Sequence, residues 1–369
     1  MVTDDDGATM GTDGTGLRRG WTTGACATAA TKAAFTALVT GVFPDPVRIV
    51  LPRGQRPAFA LAVELLTRSS AMAGIVKDAG DDPDVTHGAL IRSTVTPGEP
   101  GSGVVFRAGP GVGTVTRPGL PLRVGDPAIN PVPRRLMREA VAEVAAASGA
   151  STDVVVEVSV DNGEEIAKHT WNARLGILGG LSILGTTGIV VPYSCSAWID
   201  SIRRGIDVAR AAGYRHVAGC TGSTSERTVV ELYRLAPQAV LDMGDFAGAM
   251  LKHLRRHPVP RLTVAGGVGK LAKLADGHLD LHSGRSQVNN RMLANLVGEA
   301  GGTPELAAQV LTATTALGAL RLCQRAGLPL GDLIAARARD TTLSVLRRSD
   351  VEVDVVVVDR EGNIVGRAP

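Results

Sequence analysis

Residues 163–196 read GEEIAKHTWNARLGILGGLSILGTTGIVVPYSCS. Six glycines fall between Gly163 and Gly188, in a frame of Leu, Ile and Val. The central part, 178–188, is too rich in glycine for a long helix and too apolar for an exposed linker. A buried strand running into a tight turn fits both facts. Glycine permits positive φ and lets main-chain N–H groups approach another group closely. That group is either a ligand or a neighbouring stretch of the same chain, and the loop alone leaves both open.

The chain after this loop has a strand–loop–helix rhythm. Residues 175–184 open it. A helix over 197–212 places Ile199, Ile202, Ile206 and Ala209 on one face. A strand at 216–220 leads through Thr221-Gly222-Ser223-Thr224-Ser225-Glu226 into a second helix, with Ser223 or Thr224 as N-cap and Glu226 or a neighbour completing a capping box. Strands at 239–243 and 261–265 are each followed by a short turn and a helix. Units of about twenty-five residues in this order predict a parallel sheet flanked by helices. Helices over 303–326 and 331–347 follow. A hairpin of strands 353–358 and 364–367 closes the chain, its domain membership open.

The chain before the loop is mixed. Residues 1–16 are acidic and rich in Gly and Thr, and read as a disordered tail. An Ala-rich helix begins at Thr22 or Thr23, either of which can cap it; such a start can also hold an anion. Short strands follow up to residue 107, then loops shaped by Gly and Pro, an amphipathic helix over 133–148 and a strand over 153–160. The fold class is therefore α/β and α+β. We expect an N-terminal mixed α+β domain over 17–160 and a C-terminal Rossmann-like α/β domain over 161–350, with a largely parallel sheet.

Composition narrows the function. Thirty-nine Lys and Arg nearly balance 36 Asp and Glu, and only 3% of residues are aromatic. No basic cluster interleaves with aromatics, which argues against nucleic acid. Cys26, Cys195, Cys220 and Cys323 are far apart and show no paired spacing. Neither a zinc site nor a disulfide framework follows, and reduced thiols in a cytoplasmic protein are the simplest account. No secretory leader or long apolar run is evident, so a membrane span is not expected. The sequence does not decide the oligomeric state, and a homo-oligomer is compatible with it.

Candidate chemistry gathers on loops. The stretch Lys77-Asp78-Ala79-Gly80-Asp81-Asp82-Pro83-Asp84-Val85-Thr86-His87-Gly88 holds four aspartates and a histidine. Its spacing fits no calcium loop, and Asp-Asp-Pro is a turn former, so no protein-bound metal is predicted. His278 and His282 lie between glycines and read as loop residues. Arg117, Arg123, Arg134 and Arg135 sit on or beside shaped loops, where guanidinium forks suit carboxylates. In a parallel sheet, ligands sit outside the carboxyl ends of the strands. That edge is expected to collect 179–188, 221–226, 243–245 and 266–269. Asp242 or Asp245 could accept hydrogen bonds from a ribose there. Neither a dinucleotide fingerprint nor a phosphate-binding loop is present, so an adenosine-containing ligand without a phosphate cradle fits best.

Five stretches together resemble the cobalt-precorrin-5B C1-methyltransferase family of anaerobic cobalamin synthesis. They are Arg19-Gly20-Trp21-Thr22-Thr23-Gly24, the acidic stretch 77–88, Gly125-Asp126-Pro127-Ala128-Ile129-Asn130-Pro131, 178–193, and Gly219-Cys220-Thr221-Gly222-Ser223-Thr224-Ser225-Glu226. The likeness runs in order from about Leu17 to the C-terminus. It implies methyl transfer from S-adenosylmethionine to C1 of a cobalt-containing tetrapyrrole, giving cobalt-precorrin-6A. It also implies two α/β-type domains.

On that basis the cofactor-binding candidates are Gly179, Gly180, Ser182, Gly185, Thr186, Thr187, Gly188, Thr221, Gly222, Ser223, Asp242 and Asp245. Substrate binding is assigned to Thr22, Thr23, Lys77, Arg117, Arg123, Asn130 and Arg134, with the tetrapyrrole against the first domain and the cofactor on the second. Asp78, Asp81 and His87 are the acid–base candidates, since histidine titrates near neutral pH. Two other readings stand beside this one: an α/β enzyme using a nucleotide or phosphate, and a non-catalytic corrinoid-binding protein.

Overall fold

The computed structural model describes residues 16–347 and 350–369. The tail reading of 1–16 therefore lies outside the described residues, Gly16 apart. The fold is a mixed α/β one, and the chain divides into two compact units, one ending at Cys195 and the other running Ser196–Pro369. Among the described residues, no helix is long and apolar enough to cross a membrane.

The first unit is built on the helix Thr23–Thr40. Thirteen of its 18 residues are buried, most of them alanine, so it has little solvent face and needs small side chains to be approached on every side. The helix Pro131–Ser148 packs against it, as do the strands Ala71–Val76 and Leu90–Pro97. Those strands belong to a five-stranded sheet in the spatial order 63–66, 71–76, 90–97, 154–160, 104–108. All pairs are antiparallel except 154–160 with 104–108. Strict alternation in Val154–Val160 sends Val154, Val156, Val158 and Val160 into the core. A buried hydroxyl pair, Thr31 Oγ1 to Ser93 Oγ at 2.8 Å, joins helix and sheet.

The boundary differs from the sequence expectation at 160/161. Residues 161–195 belong to the first unit because their short strands pair there. Ile177–Leu178 pairs with Thr114–Val115, Gly180–Leu181 with Gly111–Val112, and Ile189–Val190 with Gly20–Trp21. The loop 175–184 is thus not the opening strand of the parallel sheet.

The second unit carries that sheet, in the spatial order 240–242, 216–220, 261–267, 352–358, 364–368. The first four strands are parallel and the last is antiparallel, so the closing hairpin is part of this unit. Chain order reverses between 216–220 and 261–267. Two other differences have local causes. The region 303–326 is two helices, Pro304–Leu311 and Ala316–Arg325, because the Thr315 side chain accepts from Gly318 N and starts a new one. The helix Asn290–Glu299, capped by Asn289, is one the sequence pattern does not announce.

A polar cluster runs through the middle of this sheet. Asp354, 3% exposed, accepts from Thr263 Oγ1 at 2.7 Å and from Tyr233 Oη. His216 Nε2 lies 2.8 Å from Thr263 Oγ1. Burial, then the Arg261 guanidinium, holds the His216 imidazole below its ordinary 6.5, against the pull of Asp354 and Glu352. A histidine depressed in the folded state is protonated more readily when unfolded, so stability falls as pH drops below 6.5. We predict a lower urea midpoint at pH 5.5 than at 7.5, with a smaller difference in His216→Gln. Equal pH dependence in the two proteins would refute this.

Candidate functional site

The glycine-rich loop closes on the chain itself. Gly24 N donates to Leu184 O at 2.9 Å and Thr22 N to Gly188 O at 3.0 Å. Thr23 Oγ1 accepts from the N–H of Leu184 and donates to its carbonyl. Thr22 is the N-cap, its side chain accepting from Ala25 N at 3.2 Å. The start of the helix Thr23–Thr40 is therefore satisfied by residues 184–188, and the hydroxyls of Thr22 and Thr23 already have protein partners.

The glycines are packed as tightly. A Cβ on Gly180 would lie 2.3 Å from the Gly111 backbone, on Gly185 2.2 Å from Thr22 Oγ1, and on Gly188 2.5 Å from Leu51. Ser182 Oγ donates to Asn172 Oδ1 and Thr187 Oγ1 to Ile189 O. Gly179 and Thr186 are the exposed members. Of the two readings that the loop left open, the neighbouring chain is what these glycines approach.

The acidic stretch is organised by Arg18, to which the sequence pattern assigns no role. Arg18 forks onto Asp78, with Nη1 on Oδ2 and Nη2 at 2.9 Å from Oδ1, while its N–H donates to Asp81 Oδ2 at 2.7 Å. The Arg18 hydrogen bond, chiefly, keeps Asp78 below the usual carboxylate range, so it is ionised near neutrality. Lys77, 2% exposed, donates to Asp84 Oδ2 at 2.7 Å. Burial pushes the Asp84 carboxyl up, but Lys77 and the Thr86 hydrogen bonds together hold it low. His87 Nδ1 accepts from Ala79 N at 3.1 Å, which puts the proton of the neutral ring on Nε2. Half of its side chain is exposed. Asp78, Asp81 and His87 are thus brought together; Asp81 and His87 are both exposed, and among the described residues the His87 Nε2 has no hydrogen-bond partner.

The second unit presents a different kind of loop cluster, at the carboxyl ends of its strands. Thr221-Gly222-Ser223 follows 216–220, Met243-Gly244-Asp245 follows 240–242, and Gly267 ends 261–267. Cβ atoms on Gly222 and Gly267 would meet nothing within 4 Å. These two glycines, not Ser223 or Thr224, are the N-caps of the helices Ser223–Tyr233 and Val268–Ala275, and neither supplies a side-chain bond. The expected N-cap at Ser223 or Thr224 is therefore corrected: both lie inside the helix. Residues without a signal in the sequence hold the cluster. Lys270 Nζ reaches Asp245 Oδ1 at 3.0 Å and Thr221 O at 3.2 Å. Trp198 donates Nε1–H to Asp242 O at 3.0 Å and lies over Gly244. Asp242 Oδ1 accepts from Gly244 N. A lysine in the first turn of a helix is unremarkable in sequence; only the sheet order brings it to the other two loops.

The candidates therefore separate. Residues 179–188 pair within the first unit, whereas Thr221, Gly222, Ser223, Asp242 and Asp245 gather on the strand ends of the second. Among the first unit's cations, Arg134 donates to Ile129 O at 2.8 Å and Pro127 O at 3.0 Å and orders its own loop. Arg117 packs against Gly176. Asn130 caps the helix Pro131–Ser148 without a side-chain bond, and Arg123 is exposed.

The second unit is a parallel-sheet α/β unit with an open glycine-capped rim at its point of strand reversal, the place where such sheets bind ligands. The chain belongs to the CbiD family: the family described as CbiD matches residues 10–192, and that described as CbiD, C-terminal domain, matches 280–369. It is 62% identical over 351 residues to a protein of Brucella anthropi named cobalt-precorrin-5B C(1)-methyltransferase, covering 95% of each chain. A protein of the same name from Paramagnetospirillum magneticum is 61% identical, covering 95% of this chain and 98% of that one. A crystal structure of a cobalamin biosynthesis protein (cbiD) from Archaeoglobus fulgidus is 23% identical, with a TM-score of 0.38 and 85% of each chain covered.

The two sets of glycines predict opposite phenotypes. Gly185→Ala, at φ +134 against Thr22, should cost about 3 kcal/mol of stability by denaturant unfolding. Gly222→Ala should unfold like the parent yet bind S-adenosylhomocysteine about tenfold more weakly by calorimetry. Loss of binding with Gly185→Ala at unchanged stability would reverse the assignment.

Proposed function

We propose that this chain transfers the methyl group of S-adenosylmethionine to C1 of cobalt-precorrin-5B, giving cobalt-precorrin-6A and S-adenosylhomocysteine. The observation that carries this is 62% identity over 95% of the chain to a relative bearing that name. The rim of the second unit supports the donor's place, because chain order reverses there and parallel sheets take ligands at such a point. Open space before Gly222 and Gly267 suits a ligand pressed against the main chain. Asp242, at the end of its strand, is the residue we assign to a ribose hydroxyl, while Asp245 is held by Lys270. Trp198 adds a flat apolar wall beside Asp242.

The sulfonium supplies an activated methyl group: the electron pair of a ring carbon forms the new C–C bond in line as the S–CH3 bond breaks, its electron pair leaving with the sulfur of S-adenosylhomocysteine. The protein's part is then alignment and exclusion of water. Asp78 stays ionised beside Arg18 and positions the acidic turn. His87 is the group of that turn we assign to the substrate. With Nδ1 held by Ala79 N, its neutral ring offers Nε2–H as a donor, which suits a carboxylate or amide of the tetrapyrrole.

Incubation with cobalt-precorrin-5B and methyl-labelled S-adenosylmethionine should give a product heavier by one labelled methyl group. A product without the label would defeat the proposal. His87→Ala should raise KM for the tetrapyrrole about tenfold, with S-adenosylhomocysteine affinity unchanged. Unaltered kinetics would remove His87 from the site.

A further inference from the structure

A hollow of about 390 Å³ opens in the first unit, walled by Leu120, Pro121, Leu122 and Pro131 and edged by Arg123, Asp126, Arg134 and Arg138. Three guanidinium-bearing side chains thus share its edge with one carboxylate. Asp126 is already engaged, 3.5 Å from Arg134 Nη2 and accepting from Arg123 N. Arg134 and Arg138 share one aromatic ring, lying 5.6 and 5.0 Å from the centroid of Phe106. Stacking fixes two like charges side by side, a costly arrangement unless an anion joins them. Burial first, and Arg138 with it, lowers the Arg134 pKa against the pull of Asp126. Among the described residues, the guanidinium groups of Arg123 and Arg138 have no hydrogen-bond or ion-pair partner in the protein.

We infer that this hollow is a carboxylate-binding subsite, in which Arg138 and Arg123 grip carboxylate side chains of a flat organic ligand whose hydrocarbon edge rests on the Leu-Pro wall. The chemistry favours carboxylate over phosphate. Phosphate sites at helix starts use main-chain N–H groups. Here the helix begins Pro131-Val132-Pro133, which removes two of those donors, and Arg134 N already bonds to Asn130 O. What remains is planar forks, which match carboxylates in pairs. That the ligand is the tetrapyrrole rests on the methyl-transfer proposal; that the site takes carboxylates does not. Arg138 carries no signal in sequence, being one more charged residue on an amphipathic helix. It becomes notable only when folding sets it over Phe106 beside Arg134.

Arg123→Ala and Arg138→Ala are exposed changes and should fold normally. Each should raise KM for cobalt-precorrin-5B about tenfold, the loss expected for one charge-assisted contact, with kcat and S-adenosylhomocysteine affinity held. Arg138→Lys should recover only part of the loss, because it keeps the charge and loses the fork. A second arm needs no turnover: titration with benzenehexacarboxylate, and separately with pyrophosphate. Binding of the carboxylate that weakens in both Ala variants, with pyrophosphate weaker, supports the site even if the parent protein transfers no methyl group. Unchanged KM and unchanged benzenehexacarboxylate affinity in both variants would overturn it, as would tighter binding of pyrophosphate.

Discussion

The first unit depends on a short set of hydrogen bonds between stretches about 160 positions apart in sequence. The start of the helix Thr23–Thr40 is closed by Leu184 and Gly188, through Gly24 N, Thr22 N and the Thr23 hydroxyl. A helix whose first turns are buried cannot leave its leading N–H groups bare. The loop must then come close enough that a Cβ would strike the Thr22 side chain at Gly185, the Leu51 side chain at Gly188 and the Gly111 backbone at Gly180, so glycine stands at all three. The same logic repeats at Gly20 and Gly80, whose Cβ atoms would strike Ala79 and Arg18. That contact places Arg18 on Asp78 and fixes the turn bearing His87. Core packing and the acidic turn thus both rest on close approach at glycine.

The second unit uses glycine for a different purpose. In its sheet Asp354 and Thr263 join two neighbouring strands, and Tyr233 ties the helix Ser223–Tyr233 to them. At the carboxyl ends, glycine caps leave space instead of filling it, and Lys270 binds two of the loops together. Chemistry that relies on alignment needs such a pre-set rim more than it needs an acid–base triad.

Much of this was legible in the residues. Period-2 valines in 154–160 and the strand–loop–helix rhythm after 213 mark real elements, because burial imposes those periods directly. The family resemblance was legible because five motifs occur in order. The boundary after Val160 was not, since pairing of Gly180–Leu181 with Gly111–Val112 joins stretches about seventy residues apart, which local pattern does not report. For the same reason glycine content alone did not tell the packed loop from the open rim. Both contain glycine; only the neighbours differ. Lys270, Trp198, Arg18 and Arg138 were missed because each acts through a partner distant in sequence.

In the proposed reaction the donor ligand meets the rim of the second unit while the loop 179–188 serves the fold. Amide hydrogen exchange with and without S-adenosylhomocysteine tests it most directly. Added protection is expected at 221–223, 242–245 and 267–270, with 179–188 unchanged. Protection confined to 179–188 would contradict it.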